Sequence, residues 1–224
     1  MSYPGLLLNI GRIEYEQALC LQERVNRAVS DGICPDTLML LEHPPVFTIG
    51  RRGGSDHLLV SKEVLSQEGI ALFETSRGGD ITYHGPGQLV GYPILDLRRH
   101  GQDLHGYLRR LEEVLILTLG EYGIAAGRLP GYTGVWVGDE KVAAIGVAVK
   151  RWVTMHGFAL NINPQMRHFS MIVPCGIRDH GVTSLSRLLG RPVDADEVRG
   201  RVAERFEEIF GLSFEEVALE RIPA

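Results

Sequence analysis

A nucleophile and the groups that could arm it are the first things to look for in this chain of 224 residues. Three cysteines are present, Cys20, Cys34 and Cys175. Cys175 sits in "MIVPCGI", between Pro174 and Gly176. The proline pushes Val173 toward an extended shape, and the glycine gives backbone room beside the sulfur. Cys20 falls on a helical pattern and Cys34 beside Pro35 in a polar loop, so both rank below Cys175. A thiol attacks as its thiolate, and a neighbouring cation lowers its pKa from ~8.5 by one to several units. Lys141 is one such cation, placed where a turn at Gly138-Asp139 enters an apolar strand. His84 and His156, each followed by a glycine, are rival bases. An inert buried cysteine and a solvated lysine at a strand end are the ordinary alternatives, and spacing alone does not choose.

A second stretch, "RGGDITYHGPGQLVGYPILDL" from Arg77 to Leu97, sets five glycines around a tyrosine and a histidine before an apolar strand. Glycines so placed let a backbone turn sharply and a ligand approach closely. The stretch reads as a binding loop. It is not a nucleotide motif. "GPGQLVG" fits G-x-G-x-x-G only loosely and leads into a strand, where the dinucleotide motif needs a helix N-terminus. The three lysines, Lys62, Lys141 and Lys150, all lie outside any Walker sequence, and no G-x-S-x-G elbow occurs.

The totals narrow the class further. Apolar residues at 44% and charged residues at 23% suit a globular domain with a full core. A net charge of −5 argues against nucleic acid as partner. Arg51-Arg52, Arg98-Arg99 and Lys150-Arg151 are local basic pairs able to dock an acidic protein. The longest apolar runs fall far short of the ~20 residues of a membrane span, and no signal-peptide pattern opens the chain. A cytoplasmic location is expected. An odd number of cysteines without paired spacing points to free thiols, and the absence of C-x-x-C and H-E-x-x-H leaves no metal motif.

These residues need elements to carry them. "LLLNIGR" reads as a strand, followed by an amphipathic helix over residues 14–30. "TLMLLEHPPVFTIG" is a strand broken at Pro44-Pro45. Ser61 is placed to cap a short helix, "IALFETS" runs as a strand into the glycine loop, and "QLVGYPILDL" leaves it as another. Asp103 caps a longer helix with Leu104, Tyr107, Leu108, Leu111, Leu115 and Leu119 on one stripe. "TGVWV", "KVAAIGVAV" and "VTMHGFALNIN" form an antiparallel meander. A helix from about Asp194 to Phe210 and an edge strand at "SFEEV" complete the chain. The expected fold is α/β of the α+β type, a single domain over residues 1–224 with a mixed, largely antiparallel sheet flanked by helices.

Five ordered blocks, "EHPPVFTIG", "RGGDITYHGPGQLVGYPILDL", "GVWVGDEKVAAIGV", "HGFALNIN" and "MIVPCGI", together closely resemble the lipoate-protein octanoyltransferases. The resemblance implies the fold of the catalytic domain of biotin and lipoate protein ligases. It implies transfer of an octanoyl group from octanoyl-acyl carrier protein to a lysine on lipoyl domains of 2-oxoacid dehydrogenase complexes and on the glycine cleavage H protein. The family's nucleophilic cysteine matches Cys175, and the lysine that lowers its pKa matches Lys141. Its acyl-binding positions match Arg77, Gly78, Gly79, Asp80, Ile81, Thr82, Tyr83 and His84, then Ala144, Ile145 and Gly146, then Gly157, Phe158 and Ala159.

On that resemblance the glycines wrap a narrow slot for an eight-carbon tail, and small residues at Ala143, Ala144, Gly146 and Ala148 keep its opposite wall thin. Ordinary close packing under a helix is the plainer account of the alanines. The expected chemistry is a two-step transfer through a thioester on Cys175, with no ATP, metal or other cofactor, in a monomer. Lys141 also serves as base toward the incoming lysine in this scheme, and His84 and His156 orient the site. Two alternatives stand: an ATP-dependent lipoate ligase of the same fold, and a noncatalytic module that binds acyl groups or lipoyl domains.

Overall fold

The computed structural model describes residues 2–176 and 179–223, the side chains of Ser55 and Cys175 excepted. Unbroken burial along β2 (Asp36–Glu42), from Asp36 through Leu41, shows that the main sheet is covered on both faces. Leu38 and Leu40 point into one core, Met39 and Leu41 into the other. A strand buried on both faces reads as a continuous apolar run, as "LMLL" does.

Around β2 the sheet runs in the order β12 (Leu212–Glu216), β1 (Tyr3–Arg12), β2, β6 (Gln88–Ile94), β10 (Val153–Asn161), β9 (Glu140–Lys150), β8 (Tyr132–Val137) and β7 (Gly127–Leu129). The short β11 (Gly181–Val182) pairs with the start of β9. Pairing is antiparallel from β2 through β7 and parallel at β1 with both neighbours and at β11. Strands β8, β9 and β10 make the expected meander, and β12 lies at the sheet's edge.

Helices α3 (Leu104–Gly120) and α5 (Ala195–Phe210) cover one face through Tyr107, Leu111, Leu115, Val202 and Phe206. Helix α1 (Tyr15–Ser30) covers the other with Ala18, Leu21, Val25 and Val29. A second sheet of β4 (Ala71–Glu74), β3 (Val46–Ile49) and β5 (Ile81–His84) has its own core of Phe47, Ile81, Tyr83, Phe169 and Ile172. Beside it lies the short helix α2 (Lys62–Glu68), whose Leu65 joins that core.

Capping differs in part from the sequence reading. Asp194 accepts the N–H groups of Asp196 and Glu197 and so caps α5. Asp103 stands at the N-cap of α3, but its carboxylate accepts no helix N–H. Its Oδ2 leans over Gly106 instead, where a Cβ would stand 2.5 Å from it. Ser61 likewise caps α2 by position alone, because its hydroxyl engages the Glu63 carboxylate.

Candidate active site

The glycine stretch is half loop and half strand. Residues 77–80 and the turn at 85–87 are irregular, whereas Ile81–His84 form β5, paired antiparallel with β3. Period-two alternation then divides its side chains. Thr82 and His84 line a narrow cleft between the two sheets. Ile81 and Tyr83 point the other way into the core of the small sheet, where the Tyr83 hydroxyl meets His168 Nδ1 at 2.8 Å.

The opposite wall comes from β9 and β10. Ala144 pairs with Ala159, Gly146 with Gly157 and Ala148 with Met155. Ala144, Gly146, Gly157 and Ala159 line the cleft. Ala143, one residue out of phase, is fully buried in the α3–α5 core, so it is no part of this wall. Ile145 and Phe158 also belong to that far core by packing, though both border the cleft. Gly146 is needed for the close approach of the two walls. A Cβ there would sit 2.8 Å from the Gly78 carbonyl oxygen, while the Gly78 N–H donates to Val147 O at 2.8 Å.

Arg77 fixes the loop from within. Its side chain is 7% exposed. Nε donates to Thr48 Oγ1 at 3.1 Å, Nη2 donates to the Thr48 carbonyl, and Nη1 donates to Gly78 O at 3.0 Å. With Thr48 Oγ1 receiving two guanidinium N–H groups, its own proton faces His84 Nε2 at 3.4 Å. His84 Nδ1 then donates to Gln88 Oε1 at 2.8 Å, and Gln88 Nε2 donates to Asn161 Oδ1 at 2.9 Å. His43 is fixed similarly, with Nδ1 donating to the Ile13 carbonyl and Nε2 accepting from the Tyr92 hydroxyl, each at 2.8 Å. Buried polar groups so paired carry no desolvation debt.

Charge in the cleft is set by burial. Burial, then the charges of His43 and Arg77, pull the His84 pKa well below its usual value. Burial alone lowers His43 to about 4, against a small opposing effect of its bond to Ile13. Burial, then Arg77 and Arg51, lower His156 to about 4. All three rings are neutral near pH 7. His156 sits at φ 57° with Nε2 3.2 Å from Ser76 Oγ.

Lys141, on β9, is 7% exposed, with Nζ 4.8 Å from the centroid of the Trp136 ring. The solvated-strand-end alternative is thus set aside by burial. Lys141 lines a hollow that shares Thr82, Ala144 and Ala159 with the cleft and is also bordered by Pro174. It also lines the outer opening, shared with His57, Asp80 and Gly176. Cys175 lies between Pro174 and Gly176 in a 3₁₀ turn, and its side chain is outside the described residues. The residues on both sides of it share cavities with Lys141.

Sequence reasoning missed Thr48, Tyr15, Tyr92 and His57. Tyr15 and Tyr92 line the inner end of the cleft, and Thr48 holds Arg77. No local signal marks them, since each is an isolated residue on an ordinary helix, strand or turn. Among the described residues no group of three or more His, Cys, Asp or Glu side chains could hold a metal. Nor, among them, is any helix long and apolar enough to cross a membrane.

Comparison with known proteins bears directly on this geometry. Residues 14–207 match the family model of the lipoyl protein ligase A/B catalytic domain. An octanoyltransferase of Caldicellulosiruptor saccharolyticus is 55% identical over 210 residues, covering 93% of this chain and 89% of that protein. One from Geobacter metallireducens is 53% identical over 201 residues, covering 90% and 91%. Among solved structures, lipoate-protein ligase A bound with ATP superimposes with a TM-score of 0.79 at 22% identity, over 97% of this chain and 89% of that one. The biotin protein ligase of Aquifex aeolicus with biotin and ATP gives 0.56 at 16% identity, over 92% and 70%. At such identities these structures establish a shared fold.

Proposed function

The chain belongs to the lipoyl protein ligase A/B catalytic domain family, and we propose that it transfers octanoyl groups from octanoyl-acyl carrier protein to lipoyl-domain lysines through a thioester on Cys175. The observation that carries this reading is the place of Lys141. It is a buried cation that shares the hollow beside the apolar slot with Pro174 and the outer opening with Gly176, the two residues that flank Cys175. A cation there favours thiolate over thiol by Coulomb attraction, more strongly than it would in water.

In the first half-reaction the Cys175 thiolate attacks the carbonyl of the carrier's thioester. A C–S bond forms, the carbonyl electrons return, and the pantetheine thiolate leaves and takes a proton. In the second half-reaction a lipoyl-domain lysine attacks the acyl-enzyme and leaves as an amide, returning the cysteine as thiolate. Thioester exchange is nearly level in energy and amide formation runs downhill, so no ATP is required. The tail lies in the slot between residues 77–84 and the Ala144–Ala159 wall, where each buried methylene contributes roughly 0.8 kcal/mol. Lipoyl domains of 2-oxoacid dehydrogenase complexes and the glycine cleavage H protein are the acceptors in this reading, and the enzyme acts as a cytoplasmic monomer.

Intact mass spectrometry after incubation with octanoyl-acyl carrier protein, without ATP, tests the route. The expected result is one octanoyl adduct on the wild type, released by hydroxylamine and missing from Cys175→Ser. Turnover that needs ATP and survives Cys175→Ser would establish a ligase instead. Tight binding of acyl carrier with no covalent species and no turnover would establish a binding module.

A further inference from the structure

The outer opening holds a histidine–carboxylate pair that the thioester route does not use. His57 Nδ1 lies 2.5 Å from Asp80 Oδ2. The other Asp80 oxygen, Oδ1, accepts the Ile81 N–H at 2.6 Å. The Asp80 side chain is only 10% exposed and that of His57 30%. A carboxylate held on both oxygens fixes the imidazole tautomer with the proton on Nδ1, so Nε2 is the basic atom.

The pair is built into the segment that carries the nucleophile. Val173 N–H donates to His57 O at 2.8 Å, and Leu59 N–H donates to Met171 O at 2.9 Å. Gly176, directly after Cys175, has φ 69°. A Cβ there would stand 2.6 Å from Asp80 Oδ2 and 3.0 Å from His57 Cε1, so only glycine lets the cysteine turn close over the pair. His57, Asp80, Lys141 and Gly176 all line the same opening. Arg52 and Tyr132 complete its charged and titratable rim.

Resting on the acyl-enzyme reading, we propose that His57, oriented by Asp80, is the base that deprotonates the attacking lysine in the second half-reaction. An ε-ammonium must shed two protons on becoming an amide N–H. Nε2 of His57 takes the first as the ε-ammonium enters, leaving the neutral amine. The amine nitrogen then forms its C–N bond to the thioester carbonyl, and the tetrahedral adduct gives up the second proton to water. The C–S bond breaks, and sulfur leaves as the thiolate beside Lys141. This divides the work: Lys141 stabilises the sulfur anion in both halves, and His57 handles the nitrogen proton in the second. Asp80 is a positioning residue, acting through the imidazole.

The test separates the halves in single turnovers on the full chain. Octanoyl-enzyme is formed from octanoyl-acyl carrier protein and isolated, then mixed with an apo-lipoyl domain or with hydroxylamine, a nucleophile already unprotonated at neutral pH. His57→Gln should slow release to the lipoyl lysine by ~10²-fold or more, the range for loss of a general base, while release by hydroxylamine changes less than about 3-fold. Asp80→Asn should show the same split, and free imidazole should restore part of the His57→Gln rate. Equal slowing of both nucleophiles, or neither slowed, overturns the assignment of His57 while leaving the thioester route intact. Failure of the wild type to form any octanoyl-enzyme overturns both.

Discussion

Ala144→Leu is the sharpest probe of the slot. Ala144 faces Ala159 across the β9–β10 pair, and both border the cleft and the hollow beside Lys141. Ala144 is half-buried and packs into none of the three hydrophobic cores. Leucine adds three carbons there, displacing about three methylenes of a bound tail. At ~0.8 kcal/mol each that removes ~2.4 kcal/mol of binding, or about 60-fold. Uniform binding of this kind is lost in KM more than in kcat. The assay measures kcat/KM for butanoyl-, hexanoyl- and octanoyl-acyl carrier protein with a lipoyl domain as acceptor. The octanoyl-to-butanoyl ratio should fall about 60-fold, with the melting temperature moved by less than ~2 °C. A loss equal for all three chains, or an unchanged ratio, would refute the placement of the tail against this wall.

Other perturbations follow from the same geometry. Lys141→Met keeps the stem beside Trp136 but removes the charge; a thiol left at its ordinary pKa of ~8.5 is ~3% ionised at pH 7, so acyl-enzyme formation should fall about 30-fold there and recover most of that by pH 9. A loss that does not narrow with pH would mean that Lys141 does something other than hold the thiolate. His43 and His156 each drop from 6.5 to about 4 on folding. The unfolded chain therefore takes up protons first as pH falls, and stability present above 6.5 drains away toward 4, by ~2 kcal/mol per histidine between pH 7 and pH 5. Urea unfolding at the two pH values checks this, and His43→Gln should flatten the difference by that amount. Asp194→Ala removes the carboxylate that caps α5 and should cost ~1 kcal/mol, seen as a ~2–4 °C lower melting temperature with unchanged transferase activity.

Elements with strong periodicity were legible from sequence, among them α1, α3, α5 and the β8–β10 meander. What periodicity could not give was phase at a binding wall. "VAAIGVAV" offers small residues on both faces of β9, and only the register with β10 tells Ala144 from Ala143. The same holds for "DITYH", where glycines suggested a continuous loop while Thr82 and His84 were being separated from Ile81 and Tyr83 by a strand. Lys141 looked like a solvated strand end because its burial depends on Trp136 and on β11, which pairs with it from 41 positions later in the chain at Val182. The His57–Asp80 pair spans 23 positions and two unremarkable local contexts, so it had no sequence signature at all. Only the five-block resemblance singles out Cys175 and Lys141, since neither "PCG" nor "DEKV" identifies a chemistry alone.

The architecture also explains how two distant residues can be held in a working relation. Lys141 belongs to the large sheet, on β9. The segment leading to Cys175 belongs to the small-sheet core, through Phe169 and Ile172, and is tied to the 57–59 turn by two backbone hydrogen bonds. Its far end returns to the large sheet, where Gly181 and Val182 pair with Glu140 and Lys141. The thiol-bearing stretch is thus anchored once on each sheet, and the slot runs between those same sheets.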